Sequence, residues 1–192
     1  LPEWAPKGKG PLLIIMGGSQ GAKAINQILY ESLEFLIKKK FRIVHIIGES
    51  DQKSIQVRNS KYYVKKRFTN EMAALIQNCD LVISRSGAGT INELIEAKKP
   101  SILIPYPFSK NNHQEKNAMI LAEIGGSVLI NQNQISKEVF EETLERIFKI
   151  KTKKGKNHYV ILDLMKKNME NNNKIKSKNE IKKIINYFLK EF

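Results

Sequence analysis

The sequence is poor in cysteine and acidic residues and has no long apolar run. The single cysteine, Cys79, excludes an intrachain disulfide framework and any metal site built from several cysteines, and it fits a reducing cytoplasmic setting. No apolar run in the 192 residues approaches the roughly 18–20 residues that a membrane-spanning helix needs, so no such helix is predicted. The hydrophobic content of 41% is nevertheless sufficient for a core, which excludes a wholly disordered chain.

Positive charge is abundant and concentrated towards the end of the sequence. Lysine and arginine number 33 against 19 acidic residues, and residues 149–192 contribute +9 of the net charge of +14. One interpretation is a solvated surface; the other is attraction to anionic lipid headgroups, worth on the order of 1 kcal/mol per basic residue near a membrane. Nucleic acid is not expected as a partner, because the lysines are not interleaved with aromatic residues and no nucleic-acid-binding motif is present.

Short apolar runs alternate with amphipathic stretches, which is typical of βαβ units. The pattern predicts an α/β fold with a doubly wound, mostly parallel sheet flanked by helices. The predicted strands are residues 12–16, 42–47, 62–64, 81–84, 101–104 and 127–130. The predicted helices are residues 22–39, 90–97, 112–124, 136–149, 157–169 and 178–190. A further short helix is predicted to include residues 72–76, with Asn70 as its cap.

The sequence also predicts the domain organisation of the chain. Residues 12–150 form one α/β domain, and residues 151–192 form a basic helical extension of it. Residues 1–11 are rich in proline and glycine and are expected to be a linker from a preceding domain. Because the first residue is Leu1 rather than methionine, we expect the chain to be the back part of something longer.

Ligands in such sheets bind in the loops at the carboxyl ends of the strands. The loop 17–22 reads Gly-Gly-Ser-Gln-Gly-Ala, and its glycines let backbone approach a ligand at a helix N-terminus, which suits a diphosphate. It is neither a Walker A loop nor a Gly-x-Gly-x-x-Gly loop, and a tight turn without a ligand is the alternative.

A second glycine loop, 85–90, is followed by Glu93. Thr90 and Glu93 have the spacing of a capping box, and that structural interpretation alone explains both. The functional interpretation makes Glu93 the acceptor for the hydroxyls of a ribose. The spacing alone favours neither the capping box nor the ribose contact.

Two further loops are candidates for ligand contact. The loop 105–114 ends in His113 and Gln114, and its amides and imidazole suit sugar hydroxyls, although a lone histidine is more often a surface residue. The loop 68–72 offers backbone groups to a base edge while Phe68 or Met72 packs on the base, and Phe68 as a core residue is the alternative.

Taken together, four ordered motifs resemble the C-terminal half of the MurG family, the peptidoglycan N-acetylglucosaminyltransferases of glycosyltransferase family 28. The motifs are Gly-Gly-Ser-Gln-Gly-Ala, Phe-x-x-x-Met-Ala-Ala, Ser-Arg-Ser-Gly-Ala-Gly-Thr-x-x-Glu, and Ile-Pro-Tyr-Pro-Phe followed by His-Gln and Asn-Ala. The resemblance covers roughly residues 12–144 and implies the Rossmann-like C-terminal domain of a two-domain GT-B fold. Asn111 and Asn112 stand where the family commonly has acidic residues, and no counterpart of the family's N-terminal domain is present.

The resemblance also implies a set of donor-binding residues. The loop 17–22 would lie near the diphosphate, 68–72 would face uracil, and 88–90 would line the diphosphate and ribose. Glu93 would take the ribose hydroxyls, and the His-Gln pair would hold the GlcNAc hydroxyls. The implied set is Gly18, Ser19, Gln20, Gly21, Phe68, Thr69, Met72, Ala88, Gly89, Thr90, Glu93, His113 and Gln114.

The implied activity is inverting transfer of GlcNAc from UDP-GlcNAc to undecaprenyl-pyrophosphoryl-MurNAc-pentapeptide, lipid I, to give lipid II. This chain would bind the donor without turnover, because the catalytic base and the acceptor site are expected in the missing domain. No metal or other cofactor is expected, since no Asp-x-Asp motif is present. The resemblance implies a peripheral enzyme on the cytoplasmic face of the plasma membrane, with roles in cell-wall biogenesis, cell shape and cell division.

Three alternatives stay open at this point. A stand-alone UDP-GlcNAc-binding subunit with a separate partner would keep the same motifs. A UDP-GlcNAc epimerase shares the fold class but needs catalytic carboxylates across two domains. A basic nucleic-acid-binding module would show steeply salt-dependent binding that UDP-GlcNAc does not compete away.

Overall fold

The chain folds around one six-stranded parallel sheet. The computed structural model describes residues 1–18, 22–49, 60–153 and 156–171, with the side chains of 153, 156 and 157 left out. The strands are β1 (Leu12–Met16), β2 (Arg42–Ile46), β3 (Tyr63–Lys66), β4 (Leu81–Ser84), β5 (Ser101–Leu103) and β6 (Ser127–Leu129). Their order in the sheet is β3-β2-β1-β4-β5-β6, and all five neighbouring pairs are parallel.

Helices cover both faces of this sheet and a hairpin follows it. The helices are α1 (Lys23–Lys38), α2 (Met72–Asn78), α3 (Ala88–Ala97), α4 (His113–Glu123), α5 (Lys137–Ile147) and α6 (Val160–Glu170). A short 3₁₀ turn, Lys110–Asn112, precedes α4, and the hairpin is formed by β7 (Ile150–Lys153) and β8 (Lys156–Tyr159). The doubly wound parallel α/β fold that the sequence predicts is confirmed.

Alternation along the strands divides the core into two layers. In β1, Leu13 and Ile15 face a cluster built with α1, α5 and the start of α6. Leu12, Ile14 and Met16 face a second cluster built with α2, α3 and α4. All five residues of β1 are buried, as expected for a strand that is covered on both faces.

Residues 1–11 form no helix or strand, but part of this segment packs onto the second layer. Ala5 is 3% exposed and belongs to the second core cluster. The indole Nε1 of Trp4 donates to Glu71 Oε2 at 2.6 Å, and Lys66 Nζ lies 4.0 Å from the centre of the indole ring. The assignment of this segment as a linker stays a prediction.

Three details of the predicted helices are wrong. The helix predicted for 157–169 begins only at Val160, because Lys156–Tyr159 form strand β8, which pairs with β7. Helix α3 begins at Ala88, two residues before the predicted start. Asn70 does not cap α2: the cap position is Glu71, whose backbone N–H is accepted by Thr69 Oγ1 at 3.1 Å. The helix predicted for 178–190 lies outside the described residues.

No helix in the described part of the chain is long and apolar enough to cross a bilayer.

A buried polar network fixes the end of β2 against α1. His45 is fully buried, with its Nε2 2.9 Å from Asn26 Oδ1 and its Nδ1 3.0 Å from the Tyr63 hydroxyl. Because Asn26 Oδ1 can only accept, Nε2 carries the proton and Nδ1 accepts from the hydroxyl. Asn26 Nδ2 donates in turn to the carbonyl of Ile47, just after β2. His45 therefore has a structural role, joining β2 to α1 and β3.

This network predicts acid sensitivity. Burial, together with the positive charge of Lys65, lowers the pKa of His45 from 6.5 to about 3. The folded state therefore resists protonation that the unfolded chain accepts. The contribution of neutral His45 to the free energy of unfolding is therefore complete above pH 6.5. It declines by about 1.4 kcal/mol per pH unit as the pH falls towards 3. Urea unfolding between pH 7 and 5 should show this slope, and His45→Gln should flatten it.

His158, half exposed at the surface, provides the control for that measurement. His158→Gln should keep the slope of the original chain. Equal slopes for the original chain and His45→Gln between pH 6.5 and 5 would contradict the assignment.

Candidate functional site

The strand order places a switch point between β1 and β4, from which the chain winds outward in opposite directions. Met16 and Ser84 are register partners there, at the carboxyl ends of the two strands. Gly17 and Gly18 follow β1, and the loop Arg85-Ser86-Gly87 follows β4, so both glycine loops border the crevice where such sheets bind ligands.

Only part of the first glycine loop is described. Gly18 is exposed and has a φ of +83°, a left-handed conformation that favours glycine. Among the described residues, a Cβ added there would meet no atom within 4 Å. The predicted contacts Ser19, Gln20 and Gly21 lie outside the described residues.

The start of α3 offers free backbone donors. Gly87 is its cap residue, and the N–H groups of Ala88, Gly89 and Thr90 have no intrahelical acceptor because they lie in the first turn. No side chain in the described ranges makes a capping hydrogen bond to this helix. A Cβ added at Gly87 or Gly89 would meet no atom of the described residues within 4 Å. The arrangement presents three N–H groups and a positive helix end to open space, which favours an anion.

The capping-box interpretation of Thr90 and Glu93 is wrong. Thr90 is the third residue inside α3, and the cap position belongs to Gly87, which makes no side-chain capping bond. Glu93 is exposed and lines a groove of about 150 Å³ between α2 and α3, together with Gln77 and Glu96. The structural alternative for Glu93 is thereby removed.

The loop after β3 turns an aromatic ring outward. Phe68 is 68% exposed, so the alternative of Phe68 as a core residue is wrong. Thr69 is buried, whereas Met72 is half-buried against the second core cluster. Within the described ranges the backbone groups of Phe68 and Thr69 have no hydrogen-bond partner, and they are free to meet a base edge.

The loop between β5 and α4 holds Gln114 in a fixed orientation. Its Oε1 accepts the backbone N–H of Tyr106 at 2.9 Å, and its own backbone N–H donates to Ser109 Oγ at 3.3 Å. No acceptor for its Nε2 is found in the described part of the chain, so the amide presents donors outward. His113, the first residue of α4, is exposed.

Direct hydrogen bonds join the loops after β4 and β5. Ser86 Oγ donates to the backbone carbonyl of Gln114 at 2.6 Å. Asn117 Nδ2 donates to the backbone carbonyl of Ser86 at 3.1 Å. The anion-favouring start of α3 and the residues His113 and Gln114 therefore belong to one connected site. No hydrogen bond within the described ranges joins the loop 68–72 to this site; the α2–α3 groove beside it is lined by Ala73 of α2 and Glu93 of α3.

Sequence reasoning missed Arg85 as a functional residue, although it lies within one of the four motifs. Arg85 is 9% exposed, and one of its terminal nitrogens donates to the carbonyls of Ile104 and Pro105, both at 3.0 Å. The other terminal nitrogen donates to Gln132 Oε1 in the loop after β6. Burial lowers the pKa of Arg85, and the nearby Tyr106 opposes that effect. The available signal was an arginine directly after a buried strand.

Metal ligands are not clustered in the described ranges, where no group of three or more histidine, cysteine or acidic side chains could hold an ion.

The strand order and the two glycine loops at the switch point define a Rossmann-type α/β domain, a class that binds nucleotides at this edge. The chain belongs to the family described as the glycosyltransferase family 28 C-terminal domain, which matches residues 12–187. The family resemblance inferred from the motifs is confirmed.

Curated relatives carry the name UDP-N-acetylglucosamine–N-acetylmuramyl-(pentapeptide) pyrophosphoryl-undecaprenol N-acetylglucosamine transferase. One from Prochlorococcus marinus strain MIT 9312 is 88% identical over 192 residues, which are 100% of this chain and 53% of that protein. Another, from strain MIT 9211, is 40% identical over 169 residues, 88% of this chain and 47% of that protein. The chain thus spans about half the length of these relatives.

Solved structures show the same fold. The crystal structure of Acinetobacter baumannii MurG superimposes with a TM-score of 0.71 at 24% identity, covering 96% of this chain and 51% of that one. The glycosyltransferase VinC, solved in complex with dTDP, superimposes with a TM-score of 0.57 at 14% identity, covering 88% of this chain and 40% of that one.

Proposed function

We propose that this chain is the donor-binding half of an N-acetylglucosaminyltransferase that moves GlcNAc from UDP-GlcNAc to undecaprenyl-pyrophosphoryl-MurNAc-pentapeptide. One observation carries the proposal: the uncapped start of α3 lies at the switch point, with Glu93 on its flank and Gln114 bonded to its entry loop. Family membership and the names of the relatives support the same reaction.

The order of groups along the site suits the parts of a nucleotide sugar. The loop 68–72 meets uracil, Glu93 accepts from the ribose hydroxyls, and the start of α3 faces the diphosphate with the loop 17–22. His113 and Gln114 take the sugar hydroxyls. Gln114 is suited to that role because its Oε1 is already held by Tyr106, which fixes the direction of its free amide donors.

In the proposed reaction the C4 hydroxyl of the acceptor's MurNAc attacks the anomeric carbon with inversion, and UDP departs. Negative charge builds on the diphosphate as the bond breaks, and the free N–H groups of Ala88, Gly89 and Thr90 stabilise it. The base that takes the hydroxyl proton and the acceptor site lie in a domain outside this chain. The chain alone therefore binds donor and produces no transfer.

We further infer that the complete enzyme works at the cytoplasmic membrane face in cell-wall biogenesis, and through it in cell shape and division. Lys149 and Lys151 are exposed beside Ile150, which is 52% exposed. Their charge suits anionic headgroups, so the chain should sediment with phosphatidylglycerol vesicles and not with phosphatidylcholine vesicles. Equal sedimentation with both would refute this attachment.

Calorimetric titration with UDP-GlcNAc, UDP-GalNAc and UDP tests the proposal. The two sugars differ only at C4, so a site with hydroxyl-specific contacts should prefer UDP-GlcNAc by about tenfold or more. Gln114→Ala should reduce that preference to about twofold or less with little change in UDP affinity. Gln134→Ala removes an exposed amide from the loop after β6 and should leave the preference intact.

Two results would contradict the assignment. The first is a chain that binds none of the three nucleotides. The second is GlcNAc transfer by the isolated 192 residues, which would place a complete catalytic site within them.

A further inference from the structure

Arg85 occupies an unusual electrostatic position at the carboxyl end of β4, beside the candidate site. It follows β4 directly and is 9% exposed, so its guanidinium has lost most of its contact with water. A buried guanidinium is strongly disfavoured unless it is hydrogen-bonded and its charge is balanced. Hydrogen bonding is provided by the carbonyls of Ile104 and Pro105 and by Gln132 Oε1.

The charge of Arg85, by contrast, is not balanced by any described residue. Its hydrogen-bond acceptors in the described ranges are all neutral amide oxygens, and the centre of the Tyr106 ring lies 5.4 Å from Cζ. In the described part of the chain no carboxylate lies within 4 Å of the guanidinium, and the ion pairs found there all involve other residues.

The surroundings of Arg85 add positive potential. Its loop leads into α3, whose first N–H groups are uncapped. The same loop is bonded through Ser86 Oγ to the backbone of Gln114. A buried cation and a positive helix end therefore face the same edge of the sheet, and their fields add where an anion would sit.

We propose that the diphosphate of the bound nucleotide sugar is the counter-charge for Arg85. This inference rests on the proposed function and deepens it by naming a residue that selects the diphosphate. Arg85 acts without direct contact with the diphosphate, as a fixed positive charge next to the loop that leads into α3. Its hydrogen bonds also hold the carboxyl end of β5 and the loop after β6 in place. The substrate thus supplies, at a distance, the negative charge that Arg85 lacks among the described residues.

Gln132→Glu is the sharpest test, because it gives Arg85 a carboxylate in the position where Oε1 already accepts its hydrogen bond. The side chains are nearly the same size, so we expect the fold to be retained. The readout is the ratio of the dissociation constants of UMP and UDP, which isolates the contribution of the second phosphate. Neutralising Arg85 should lower that ratio about tenfold, as expected for loss of one unit charge in a partly buried site.

Two further variants make the result specific. Asn133→Asp adds the same charge one residue further on, at an exposed position, and should change the ratio less than about twofold. Arg85→Gln removes the cation and should lower the ratio as Gln132→Glu does. Its thermal unfolding is followed in parallel, because this variant also loses the hydrogen bonds of the guanidinium.

The outcomes separate the two proposals. An unchanged ratio in folded Gln132→Glu, or equal weakening of UMP and UDP, overturns the role of Arg85 while donor binding by the original chain still stands. A chain that binds neither nucleotide overturns the proposed function itself.

Discussion

Glu93→Ala is expected to weaken UDP binding about thirtyfold while changing the free energy of unfolding by less than about 0.5 kcal/mol. Hydrogen bonds to a charged group are worth about 1.5–3 kcal/mol, and thirtyfold corresponds to about 2 kcal/mol. The fold should be unaffected because Glu93 is exposed and caps no helix. Calorimetry gives the affinity, and urea unfolding gives the stability.

The direction of this effect is informative. Removing a negative charge near an anionic ligand strengthens binding by Coulomb's law, so weakening requires a lost contact. Glu96→Ala is the matched control: Glu96 lies on the same helix and lines the same groove, and its removal should leave UDP affinity unchanged or slightly higher.

A second ligand locates the lost contact. The original chain should prefer UDP to 2′-deoxy-UDP, and Glu93→Ala should bind the two about equally. A variant that keeps the full preference would show that Glu93 does not contact the ribose.

Gly87→Ala is expected to lower UDP affinity at least about tenfold with almost no change in stability. The new Cβ would meet no atom within 4 Å in the part of the chain that the structure describes, and the φ of −61° and ψ of 151° suit alanine. Alanine is a poorer N-cap than glycine, but it reduces the entropy of the unfolded chain, and each effect is about 1 kcal/mol or less. The methyl group instead fills space that the proposal assigns to the diphosphate.

Gly126→Ala provides the opposite case. There the new Cβ would lie 2.1 Å from Met169 Sδ, so overpacking should cost about 1–3 kcal/mol of stability. Gly126 precedes β6 at the amino edge of the sheet, and folded Gly126→Ala should bind UDP normally. If Gly87→Ala binds UDP with unchanged affinity, the diphosphate does not bind at the start of α3.

The sheet was predictable because its strands carry a clear signal. The run Leu12–Met16 is wholly apolar and wholly buried, as is expected of a central parallel strand. The β7–β8 hairpin was not predictable, because Ile150–Lys153 and Lys156–Tyr159 are dominated by polar and charged residues and lack the apolar alternation of a half-buried strand. The sequence predicts only a basic helical extension over residues 151–192, with a helix at 157–169.

The site was predictable as a set of loops but not in its internal bonding. Glycine spacing and the carboxyl ends of strands identified the loops after β1, β4 and β5. The spacing of Thr90 and Glu93 could not reveal that α3 begins at Ala88, and that start is what excludes the capping box. Arg85 was missed because its partners Ile104, Pro105 and Gln132 are far along the chain, and only folding brings them together.

Helix α6 contributes side chains to both core layers. Leu162 and Met165 pack in the layer of α1 and α5, whereas Met169 packs in the opposite layer. Lys166 Nζ lies 3.4 Å from Asp80 Oδ1, just ahead of β4, so the helix passes the edge of the sheet that is remote from the candidate site. A protein engineer who trimmed this chain at residue 150 to obtain a minimal nucleotide-binding unit would uncover both sides of the sheet at once, and should keep the sequence through α6.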